Sequence, residues 1–197
     1  MFTTSPERGR GVLVTLATVT ALLALPPAAS VTAAKSTFFE EAAEAFWEVP
    51  HVCADGSTVS GTLLVRSTRD FASPATEDLD PTARVQFLAV CPGGISFSWG
   101  APTAPAVITS TNNLRSVTAS GSGIARDNLG GAHQVSFDVT WTGVGPVERI
   151  VNGPGSTTKL RTATATGQVT FDGAVLADGP ANHPTRPAPF IRVDVEK

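Results

Sequence analysis

The chain has 197 residues, with 14 Lys and Arg against 17 Asp and Glu and a formal net charge of −3. A chain of this length suits one domain, whose folding takes roughly two-thirds of the unfolded surface out of water. A mildly acidic chain with no cluster of Lys and Arg lacks the dense positive footprint that nucleic acid or an anionic membrane surface demands, which excludes both as expected partners.

Residues 1–34 read as a secretory signal peptide. Arg8 and Arg10 make the first stretch basic, and Gly11–Leu25 then runs apolar for about 15 residues. That is enough for a signal-peptide core and too short to span a bilayer. Pro26 and Pro27 break it, and the small residues Ala28–Ala34 offer cleavage points. The expected product is a single secreted domain, residues 35–197, extracellular and without a membrane span. Cys53 and Cys91 are the only cysteines. In an oxidising compartment an even count points to a bridge between them, and the loop it closes is worth roughly 3 to 4 kcal/mol on the chain-entropy model.

Thr37–Trp47 (TFFEEAAEAFW) fits a short helix capped by Thr37 and Glu40, and fits equally a leader running into a strand from near Glu44. From there the hydrophobic period is two. Phe46–Cys53 and Thr58–Thr68 are joined by Asp55-Gly56-Ser57, a hairpin signal. A loop follows, with acids at Glu77, Asp78 and Asp80, then strands at Ala83–Cys91 and Ile95–Trp99, and then the proline-rich APTAPA, read as loop. Leu114–Arg126 turns back through Asp127–Gly131 into Gln134–Thr142, where Val135, Phe137, Val139 and Trp141 alternate with polar residues. Val147–Val151, Lys159–Phe171, Ala174–Ala177 and Phe190–Val195 complete the pattern, with Gly179–Pro189 as a linker. Eight to ten strands with short connections and no helical crossover predict an all-β antiparallel meander. Closure removes exposed edges, so a β-barrel or curled sheet is expected first and a sandwich second. Ala119, Gly121, Gly123, Ala163, Ala165 and Gly167 either leave room inside or mark tight curvature.

No residue pattern specifies catalysis. H-E-x-x-H and G-x-S-x-G are absent, the three histidines His51, His133 and His183 stand at no metal-ligand spacing, and neither a cofactor nor a metal is expected. The acids Glu40, Glu41, Glu44 and Glu48 read as a wet face, and the acidic loop lacks the calcium-loop rhythm. Trp47, Trp99 and Trp141 each end an alternating strand, where they line a barrel mouth or cap its core. His51 shares a strand face with Trp47 and Val49. Trp99, Trp141 and His51 are therefore the ligand-contact candidates.

The Gly11–Leu25 core, the Cys53-Ala54-Asp55-Gly56 turn, the Val135–Trp141 strand before Gly143, and Ala163–Gly167 before Val169–Gly173 together resemble small secreted β proteins of high-GC Gram-positive bacteria. The Arg-over-Lys bias and the absence of Tyr agree with such a source. The resemblance implies export and a barrel or sandwich, with no set activity. In size and meander the chain is also similar to lipocalin- or avidin-type carriers, without their diagnostic motifs. The leading expectation is a non-enzymatic secreted protein that binds a small apolar ligand or a surface partner. The alternatives are a secreted hydrolase or isomerase using His51 with an acid such as Asp138, and a structural component of the cell envelope.

Overall fold

A computed structural model describes residues 37–73, 81–101 and 104–196. The expected signal peptide, the acids Glu77, Asp78 and Asp80, and Lys197 lie outside the described residues. Eleven strands run in chain order: β1 (Thr37–Val52), β2 (Thr58–Ser73), β3 (Thr82–Val90), β4 (Ser96–Gly100), β5 (Ala104–Ser110), β6 (Ser116–Asp127), β7 (Ala132–Gly143), β8 (Glu148–Gly153), β9 (Ser156–Phe171), β10 (Ala174–Pro180) and β11 (Phe190–Glu196). Every pairing is antiparallel.

The pairings describe a curled sheet of eight lanes, three of them broken. β4 and β5 lie end to end between β3 and β6. β7 and β8 share one edge of β9, and β10 and β11 share the other. β11 then pairs with β1 over residues 38–44, so the sheet partly closes into a ring. The rest of β1 has no ladder on that edge, and the Trp47 Nε1–H reaches across to the Gly179 carbonyl at 3.3 Å. Two of the breaks hold proline: Pro146 between β7 and β8, and Pro184, Pro187 and Pro189 between β10 and β11. Proline has no N–H for a ladder and interrupts a lane there.

Two expectations change. Thr37–Trp47 is strand throughout, because Glu41, Ala43, Ala45, Trp47 and Val49 turn inward at period two and pair along all of β2. The capping acid Glu40 instead faces Arg192. The second half of APTAPA opens β5, whose Ala106 and Ile108 are buried while Val107 is exposed. Tertiary pairing there outweighs the turn propensity of proline.

The core is the inner face. Leu63, Val65, Val85, Val117, Val135, Val139, Trp141, Val169 and Ile191 are fully buried, and Ala119, Ala163 and Ala165 let the lanes approach. Gly167 marks curvature: a Cβ there would stand 2.4 Å from the Asp138 carbonyl oxygen on β7. Outside, hydroxyl and charged residues face water, with pairs such as Ser136 and Thr170 bonded at 2.6 Å.

Candidate functional site

One end of the ring is sealed by rings and a bridge. Cys53 and Cys91 are disulfide-bonded with Cα atoms 5.9 Å apart, tying the ends of β1 and β3 across β2. His51 stacks on Phe97 at 4.8 Å, Phe87 lies 5.8 Å from Trp99, Trp99 lies 4.8 Å from Phe171, and Phe171 stacks on His133 at 4.4 Å. This aromatic layer closes the core at that end. The ligand-type atoms of His51, Cys53 and Cys91 lie within 4.8 Å of one another, but the two sulfurs are bonded to each other and offer no thiolate.

His133 is held on both ring nitrogens. Nε2 meets Asp127 at 3.0 Å and Nδ1 meets Asp172 at 2.8 Å. The hydrogen bonds it donates to Asp127 and, second, to Asp172 raise the imidazole pKa above its ordinary value, and the same two bonds hold both carboxyls below theirs. Asp127 also accepts from the Leu129 and Gly131 amides, and Asp172 from that of Gln134. His133 therefore pins the β6–β7 turn to the end of β9.

A groove of about 530 Å³ lies on the outside of the sheet. Its floor follows from register. Phe46, Leu64, Gln86, Gly100 and Arg126 stand opposite one another in a single row across β1, β2, β3, β4 and β6. A second row holds Thr62, Leu88 and Ser98, and the Ser98 amide bonds to Asn128 at 3.1 Å. Segment 181–189 forms a wall. His183 Nε2 bonds the Thr62 hydroxyl at 2.8 Å, and the Arg186 guanidinium lies 5.8 Å over the Phe46 ring. This stretch packs on the sheet where the sequence suggested a free linker. The β4–β6 ladder is only two residue pairs long, and there the groove reaches Phe87 and Trp99 of the core.

A second concavity, about 410 Å³, opens at the opposite end of the ring. Leu114, Val147 and Val193 line it beside the ion pair of Arg69 Nε and buried Glu41, 2.5 Å apart. Arg69 also donates to the Ser110 hydroxyl. Glu41, Arg69 and Ser110 thus bond one another at its wall.

Of the three expected contacts, Trp99 lines the groove, whereas Trp141 is fully buried and His51 belongs to the aromatic layer. The catalytic alternative paired His51 with Asp138. His51 is stacked on Phe97, and Asp138 stands on the exposed face of β7 opposite Ser120 and Gln168. Sequence reasoning missed Phe46, Leu64, Leu88, Arg126 and Arg186. A signal existed: Leu64 follows inward Leu63 and Leu88 follows inward Phe87, which places two leucines on a face otherwise rich in hydroxyls.

Among the described residues no helix is long and apolar enough to cross a membrane. Comparison of the chain with protein-family models, curated proteins and solved structures finds no match in any of the three.

Proposed function

We propose that this is an exported, non-catalytic binding protein that takes a small ligand into the lateral groove on a barrel-like scaffold. The groove's composition carries the reading: an apolar floor of Phe46, Leu64 and Leu88, rimmed by Ser98, Asn128, Arg126 and Arg186, in a volume suited to a small molecule. The ligand is placed outside the ring because the inner face is filled by its own side chains. The disulfide supports export, since such bonds persist in oxidising compartments.

Gly100 supplies a test. A Cβ built there makes only ordinary contacts with Gln86, 3.6 Å away, so a larger side chain fits the strand and fills the groove. Native mass spectrometry of protein isolated from its producing cells is expected to show a non-covalent adduct that Gly100→Val loses while keeping its melting temperature. Equal adduct on both proteins would end the assignment to this groove.

A further inference from the structure

Resting on the groove reading, we infer that the ligand is a free single-chain carboxylate, its chain on Phe46, Leu64 and Leu88 and its anion on Arg126, at the β6 end of that row. Both guanidiniums line the groove. Among the described residues neither has a hydrogen-bond or ion-pair partner, and the contact of Arg186 is the face of Phe46, which leaves its N–H edge free. Arg is charged at every accessible pH and presents a planar fork that matches a carboxylate. Arg186 lies over Phe46 at the β1 end, and the unpaired Arg126 at the β6 end, beyond Phe46, Leu64 and Leu88, selects a molecule that is anionic at one end and apolar along the rest.

The one carboxylate in the lining does not cancel this field. Asp127 accepts from two backbone amides of its own turn and pairs with His133, so both of its oxygens are engaged in that network. A small inorganic anion would meet the arginines and leave the floor wet. A neutral amphipath would cover the floor and leave both guanidiniums unused. A carboxylate with a medium-length chain satisfies both.

Calorimetric titration of the intact protein with octanoate, octanol and octylamine at low ionic strength separates these cases. Octanoate is expected to bind at least about tenfold more tightly than octanol, as a charge-assisted pair implies, with octylamine weakest. Arg126→Gln should bring octanoate toward octanol, and do so more than Arg186→Gln does, while Arg126→Lys keeps much of the preference. Both residues are exposed and bond no backbone, so thermal melts should confirm that the variants fold. Equal binding of octanol and octanoate, indifferent to the arginines but lost in Gly100→Val, would overturn the carboxylate and leave the groove standing. No binding by any of the three, with no Gly100-sensitive adduct, would remove both. Binding to anionic vesicles without binding of octanoate would also overturn the proposal.

Discussion

Removing the Cys53–Cys91 bridge should lower stability by an amount that can be worked from its place in the chain. The two residues are 38 apart in sequence, and they join strands that already flank β2. The native pairing of β1 with β2 and of β2 with β3 survives without the bond, so the loss falls mainly on the unfolded state, which gains the freedom of an open loop. For 38 residues the chain-entropy relation gives about 13 cal/mol/K, or about 4 kcal/mol at 25 °C. For a domain of about 160 residues that corresponds to a fall in melting temperature of about 12 °C. The assay is urea unfolding of the Cys53→Ala/Cys91→Ala protein against wild type, followed by tryptophan fluorescence, with reduced wild type as a control. The midpoint should drop in both, with a slightly larger m-value as the unfolded chain expands. A loss below about 1 kcal/mol would refute the reasoning, because the unfolded chain would then already hold these ends together.

The His133 pin predicts a defined pH dependence. Its raised pKa means that its contribution is fully present below about pH 6.5 and disappears as pH rises through the folded value; Asp127 and Asp172, lowered, contribute above about pH 3.8 and lose this as pH falls through theirs. His133→Ala should flatten the alkaline limb of melting temperature against pH, and an unchanged limb would discount the pin. At Gly61 a Cβ would lie 2.4 Å from the Phe87 ring, which His51, Phe97 and Trp99 hold in place. Gly61→Ala should therefore cost about 1–3 kcal/mol, partly restored by adding Phe87→Leu. At the second concavity, Glu41→Leu takes the buried carboxylate from Arg69, which keeps its bond to Ser110, and should cost about 3 kcal/mol, while Glu41→Leu with Arg69→Met should cost less than either single change. Chemical denaturation of the four proteins checks this, and strict additivity would contradict it.

Much of the fold was legible because a strand writes its burial in alternate residues. Val135–Trp141 is the clearest case, and the Asp55-Gly56-Ser57 and Asp127–Gly131 turns follow from side chains that bond their own backbone. β1 was ambiguous because Ala42, next to Ala43, is buried as well, which blurs period two toward a helical spacing. β5 was hidden by Pro105, whose local preference is overridden by its pairing with Thr82 of β3 and by the pairing of Ala106–Ser110 with β6. The candidate site was barely legible. Its floor is a row across five strands from Phe46 to Arg126, joined by register and not by any local motif. Arg186 reaches it only because His183 and Thr62 lay segment 181–189 over the sheet. Trp99 was found for its strand-end position, and its groove contact depends on the two-pair β4–β6 ladder.

Amide chemical-shift mapping of the protein with octanoate tests the central claim most directly. The account predicts saturable shifts at Leu64, Leu88, Ser98 and Asn128, abolished in Gly100→Val, with Ser110 and Lys159 at the opposite end unmoved. Shifts concentrated at Ser110, Leu114 and Lys159, or none in the lateral groove, would contradict it.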